Sequence, residues 1–248
     1  MNISLQLWSL KEEAAADFAH ALELSAQAGY QGVEFAGYYG NSPEQLKELL
    51  AKYGLEPVST HAGISRLREV LDEELTYAKK LGCRMIVCPW SDCASEAEIV
   101  EDARFLESCA QKAAKEGVLI GYHNHDQEFR RFGGKFAMDI LLENMPSVRF
   151  EPDVFWIAYA DVDPVQYIAP LAAAGRICAV HAKEIAKEGK ENVYIGQGRI
   201  DFAGIAALCP PSQYPYIVEQ EEFSGGHFDG IAKSYQGLKK ILDRSVAA

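Results

Sequence analysis

VLIGYHNH (118–125) is an apolar, β-branched run that ends in two histidines, and three later stretches repeat its design: VRFEPD (148–153), ICAVHAK (177–183) and YIVEQE (216–221). Each reads as a buried parallel strand whose C-terminal end turns polar. The steps from His123 to Asp153, then to His181, then to Glu219 are 30, 28 and 38 residues, each about one strand–helix unit. That interval stacks the four ends at one rim of a parallel barrel. His and carboxylate side chains converging at such a mouth make a metal site with room left for a substrate.

Upstream of this block the same alternation continues. Strand-like runs fall at 3–8, 32–35, 56–61 and 84–88, and the later runs extend over 118–123, 148–153, 177–182 and 215–219. Between them lie patterns such as PEQLKELLAKYG and EAEIVEDARFLESCAQKAAKEG, with apolar residues at i, i+3, i+4 and i+7 and a closing glycine, the marks of amphipathic helices. Eight strands alternating with helices close a (β/α)₈ barrel, a TIM barrel, more naturally than they fill an open sheet. At 248 residues the chain allots about 31 to each unit, so 1–248 reads as one domain. The stretch 184–214 departs from the pattern, and EIAKEGKENVYIGQGRIDF within it reads as an extended active-site loop before a short helix.

Bulk properties narrow the partners. A formal charge of −12 disfavours nucleic acid and anionic membranes, because neutralising phosphates needs clustered Lys and Arg. No apolar run approaches the roughly 20 residues of a membrane span, and MNISLQLWSL enters a strand pattern directly, without the marks of a secretion signal. Six cysteines scattered without CxxC spacing read as reduced thiols. A cytoplasmic protein with a small-molecule ligand is the expectation, with homo-oligomerisation left open.

Residues two apart on a strand share a face. The runs therefore present His123 with His125, Glu151 with Asp153, His181 with Lys183, and Glu219 with Glu221. Each has an ordinary alternative. Asp153 can cap the following turn, Glu151 can pair with an interior arginine, and His181 and Glu219 can be satisfied core residues. Recurrence at strand ends in register weakens these alternatives together. In HNHDQEF, one metal would not use His123, His125 and Glu128 at once. Glu128 is taken as the metal or proton-transfer group there, and the two histidines as ligands of substrate oxygens.

Four residues at matching ends in the first half are candidates for binding substrate: Trp8, Glu34, His61 and Trp90. Aromatic rings pack on the apolar face of a sugar, while His and Glu bind hydroxyls. Core packing is the competing role for the two tryptophans. GQGRID (196–201) lacks the strand-to-helix context of a dinucleotide loop and reads as a tight turn, with Arg199 available to an anionic substrate group.

LQLWSL, GYQGVEFAG, YHNHDQEF, EPDVFW, HAKE and IVEQEE, in that order from residue 5 to about 222, resemble the xylose isomerase-like TIM-barrel superfamily, in its sugar phosphate isomerase/epimerase branch. The resemblance implies a divalent ion (Mn²⁺, Mg²⁺, Co²⁺ or Zn²⁺) held by Asp153, His181, Glu219 and a fourth ligand. The position of that fourth ligand, usually glutamate, falls on His123 here, so either His123 or Glu128 fills it. It further implies a sugar or cyclitol substrate in carbohydrate metabolism, with Glu219 moving the proton beside a carbonyl and Glu128, His123 or Lys183 as the second group. HNH and HAKE are also similar to keto-inositol dehydratase-like proteins, which makes elimination, with Lys183 as acid, the alternative reaction. A barrel that only binds sugar is a further alternative, and the acidic charge disfavours the DNA-repair endonucleases that share the fold.

Overall fold

The computed structural model describes the backbone of residues 3–247 and the side chains of 3–245. Eight strands form its central sheet: β1 (Ile3–Gln6), β2 (Gly32–Phe35), β3 (Glu56–His61), β4 (Met85–Cys88), β5 (Leu119–His123), β6 (Arg149–Glu151), β7 (Val180–Ala182) and β8 (Tyr216–Val218). Their order is β6-β5-β4-β3-β2-β1-β8-β7, with parallel neighbours throughout. Parallel bridges Phe150–Ile177 and Asp153–His181 join the two ends, and His181 N donates to Pro152 O at 2.9 Å across the seam. The result is the expected TIM barrel.

Several strands are shorter than their apolar runs, for local reasons. The run 3–8 leaves the sheet at Gln6 because the Gln6 side chain accepts from Trp8 N at 2.9 Å, opening a 3₁₀ turn over Leu7–Leu10. Trp8 is thereby carried off the strand to the rim. Pro152 has no N–H for the ladder, so β6 stops at Glu151, and Asp153 caps the helix Val154–Tyr159 by accepting from Phe155 N and Trp156 N.

Side-chain parity divides the core. Outward-facing residues such as Leu5, Phe35, Ile86, Tyr122 and Phe150 pack under the helices in one large cluster. Inward-facing Met85, Val87, Ala179 and Ile217, with Val58, Leu119 and Cys178, plug the barrel's interior. Gly121 belongs to this inner face: a Cβ there would lie 3.1 Å from Val87 Cγ2 and 3.3 Å from Cys178 Sγ. One pleat further along these strands the inward residues become polar, His123 after Gly121, His181 after Ala179 and Glu219 after Ile217. The apolar plug is the floor of the site.

The helix of PEQLKELLAKYG begins and ends as its pattern predicts. Ser42 and Gln45 form a capping box before Pro43–Tyr53, and Gly54 closes that helix at φ 67°, a left-handed angle that glycine adopts at little cost. Within 184–214 the chain forms a small hairpin, Glu184–Ile185 against Asn192–Val193, then the helix Phe202–Leu208. All six cysteines are free thiols. Among the described residues no helix is long and apolar enough to cross a membrane.

Candidate metal centre and active site

Asp153, His181 and Glu219 come together at the C-terminal rim, each offering a ligand atom within 4.8 Å of the others. Asp153 serves two purposes. Oδ1 caps the helix that follows, while Oδ2 lies 3.1 Å from His181 Nδ1. Its backbone is stitched to the end of β5 by Asn124, the middle residue of HNH, which accepts from Asp153 N at 2.9 Å. The segment carrying Glu219 is fixed by Asn192, whose Oδ1 accepts from Gln220 Nε2, Glu221 N and Glu222 N at 3.0, 2.9 and 3.3 Å.

Inside the barrel Glu34 is a hub. It accepts from Gln6 Nε2 at 2.7 Å and Ser59 Oγ at 2.5 Å, with His61 Nε2 at 2.9 Å and His181 Nε2 at 3.3 Å. Burial alone would raise its pKa, but the positive charges of His61 and His181 beside it outweigh that and hold it well below the ordinary value. Burial opposes charge on His61 as well, yet Glu34 and Glu151 lift it to about 10. Glu151 moves the other way, to about 7, because burial and the neighbouring Glu34 both disfavour its charge. His123 is pushed well below its usual value, by burial first and then by the other cations.

Lys183 is buried and donates to Glu219 Oε2 at 3.2 Å and closely to Glu221 Oε2, with its ammonium 4.9 and 4.8 Å from the ring centroids of Phe155 and Trp156. Burial works against the charge, but Glu219, Asp153 and Glu221 more than compensate and raise its pKa. A lysine so held is a fixed cation, not an amine nucleophile.

A cavity of about 290 Å³ opens above the cluster, lined by Trp8, Ala36, His61, Pro89, Trp90, His123, His125, Glu219 and Glu221. Trp8 and Trp90 remain 43% and 47% exposed, so neither is a core residue. His125 packs against Trp90 and Trp156, with ring centroids 5.0 and 5.2 Å apart.

Two expectations change. Glu128 does not join the cluster, because its 3₁₀ turn folds it back behind β5, where Tyr122 Oη donates to Oε1 at 2.6 Å and His125 N to Oε2 at 2.8 Å. It anchors the loop that carries His125. Arg199 is absent from the cavity lining; its guanidinium instead donates to the carbonyls of Ala186 and Gly189 at 2.9 and 3.0 Å, closing its own loop. Sequence reasoning missed Gln6, Ser59, Asn124 and Asn192 as partners of the site, and took Glu151 only as an interior pairing acid. Parity placed Glu151 on the inner face, whereas the partners of the asparagines had no local signal.

Burial raises the Glu128 carboxyl from its ordinary 4.5 to about 7. The folded state therefore holds the proton more tightly, and the stability it lends is complete below pH 4.5 and lost as pH rises through 7. Glu128→Gln should remove up to about 3 kcal/mol of that pH dependence. Urea midpoints at pH 4.5 and 8 check this, and equal differences between variant and wild type at both would contradict it.

The donor set suits a divalent cation. Two carboxylates and an imidazole converge, and in the same polar layer His123 Nδ1, Glu151 Oε1 and His181 Nε2 are buried without hydrogen-bond partners. The ion-pair contacts of His123 Nδ1 and His181 Nε2 lie at 3.5 and 3.3 Å but miss hydrogen-bonding geometry.

Comparison with known proteins agrees with this architecture. Residues 22–241 match the family described as xylose isomerase-like TIM barrel. No curated protein matches the chain. Among solved structures, a sugar phosphate isomerase/epimerase from Parabacteroides distasonis is 25% identical with a TM-score of 0.83, over 96% of this chain and 98% of that one. A D-allulose 3-epimerase from Methylomonas sp. is 17% identical with a TM-score of 0.75, over 98% of each chain. A probable 3-DHS dehydratase from Bacillus anthracis is 14% identical with a TM-score of 0.74, over 96% of this chain and 99% of that one. With the family matched along most of its length and the same barrel in these structures, the chain belongs to the xylose isomerase-like TIM barrel family.

Proposed function

We propose that this protein is a metal-dependent sugar isomerase or epimerase that moves a proton beside a ketose carbonyl. The observation that carries this reading is the convergence of Asp153, His181 and Glu219 at the barrel rim, where Glu219 lines a cavity walled by Trp8 and Trp90. The sugar isomerase and epimerase names of its structural neighbours support it.

Asp153, His181 and Glu219 would hold the ion, of the Mn²⁺, Mg²⁺, Co²⁺ or Zn²⁺ kind, which when bound supplies polarisation of the substrate carbonyl. Glu219 takes the proton from the adjacent carbon, and the Lys183 ammonium beside it offsets the charge that develops. Trp8 and Trp90 pack on the sugar's apolar face, and His61, His123 and His125 take hydroxyls. An isomerase needs no second base, since one carboxylate can carry the proton between neighbouring carbons. For epimerisation a second group must return it on the other face, and His125 stands three strands round the barrel from Glu219. Lys183 supports elimination as the second reading, because a fixed ammonium beside Glu219 can protonate a departing hydroxyl.

Loss of the α-proton signal in D₂O is the test. Protein loaded with Mn²⁺ should wash deuterium into at least one member of a panel of ketoses and keto-inositols. Complete retention of the proton across the panel, with metal bound, would count against the proposal.

A further inference from the structure

One pleat below Asp153 lies a second set of donors, sharing only His181 with the proposed catalytic metal. Ring nitrogens of His61, His123 and His181 and a carboxylate oxygen of Glu151 all lie within 4.8 Å of one another. They come from β3, β5, β7 and β6, so the barrel wall holds each independently. His123, Glu151 and His181 are at most 2% exposed. His123 Nδ1, Glu151 Oε1 and His181 Nε2 are among the buried side-chain atoms that lack hydrogen-bond partners. Buried polar atoms are seldom left so without a reason.

His181 shows which of its nitrogens serves this set. His181 donates from Nδ1 to Asp153 Oδ2, 3.1 Å away, and a metal binding at Nε2 would displace the proton there and take that lone pair. The carboxylate–histidine–metal arrangement orients ligating histidines in this way. His61 Nε2 already lies 2.9 Å from Glu34 and 3.2 Å from Glu151, in a position where the protein stabilises positive charge.

We propose that His61, His123, Glu151 and His181 form a zinc-binding site inside the barrel, distinct from the metal centre at its mouth. Three imidazoles and one carboxylate are a tetrahedral donor set suited to Zn²⁺, whereas the oxygen-rich pair Asp153 and Glu219 suits harder ions such as Mn²⁺ or Mg²⁺. Closing the set requires donor separations of about 3.3 Å, the edge of a tetrahedron with zinc–nitrogen bonds near 2.0–2.1 Å. Small side-chain rotations from the present spacing achieve that. Zinc on Nε2 keeps the His181 Nδ1 proton on Asp153 and so withdraws His181 from the mouth. Zinc in the inner site therefore weakens the binding of the catalytic ion.

Protein stripped of metal with a chelator, then titrated with Zn²⁺ against a chromophoric competitor, tests this site. Wild type should take up one tightly bound zinc, and Co²⁺ in its place should give the strong visible bands of tetrahedral coordination. Glu151→Gln, checked for folding by circular dichroism, should weaken zinc by at least ~100-fold, while Glu219→Gln should leave it bound. Zinc retained in Glu151→Gln, or lost in Glu219→Gln alone, would overturn the inner site. Because Mn²⁺ binding and proton exchange are measured without zinc, failure of the inner site and failure of the proposed catalytic reading are separately visible.

Discussion

Glu219→Gln should lower exchange of the substrate α-proton with solvent by about 10²–10⁴-fold, the usual contribution of a positioned general base. The substitution keeps the volume of the side chain and an oxygen ligand, but removes the basic site. Its neighbours are anchored independently of the charge: Asn192 holds the backbone of Glu221 and Glu222 as well as the Gln220 side chain. The variant should thus fold, with Lys183 keeping Glu221 as its partner. Loss of a carboxylate from the Asp153–His181–Glu219 set should also weaken Mn²⁺, so exchange is compared at saturating metal. Glu221→Gln is the control, since Glu221 lines the cavity but lies outside both ligand groups; its effect should be tenfold smaller or less. Unchanged exchange in metal-saturated Glu219→Gln would remove this residue from the chemistry.

The rim was readable in the sequence because strand parity and unit length are local rules with few exceptions. His123, Asp153, His181 and Glu219 each end an apolar run at the repeat interval, and a parallel barrel has one face on which they can meet. Glu128 shows where that reasoning stops. It lies beyond β5 on a turn, where parity no longer tells direction, and its carboxylate meets Tyr122, an outward residue of the preceding strand. Arg199 was misjudged for a related reason: the carbonyls of residues 186 and 189 gather around it only because the hairpin at 184–193 folds back on the turn. The inner cluster was half readable. Parity placed Glu151 inward, but whether it meets an arginine or three histidines depends on which strands face one another across the closed barrel.

The same distinction sets the expected cost of removing Glu34, whose partners arrive from three other strands. Glu34→Leu should destabilise the protein by about 3–5 kcal/mol, the range for breaking a buried charge network by deleting one partner. Gln6 Nε2 and Ser59 Oγ would lose their acceptor, and His61 and His181 would lose the carboxylate that stabilises their charge. Glu34→Gln keeps one acceptor and should cost about 1–3 kcal/mol, the range for a single unsatisfied buried group. The pH dependence follows from both partners. A carboxylate held below its ordinary 4.5 contributes stability above that pH, and an imidazole raised from 6.5 to about 10 contributes it fully below 6.5 and loses it as pH rises through 10. The gap between wild type and Glu34→Leu should therefore be widest near pH 5–6.5 and narrow toward pH 10. Urea midpoints across this range measure it. A gap that stays constant with pH would mean that Glu34 stabilises the barrel through packing and neutral hydrogen bonds, with its ion pair to His61 contributing nothing.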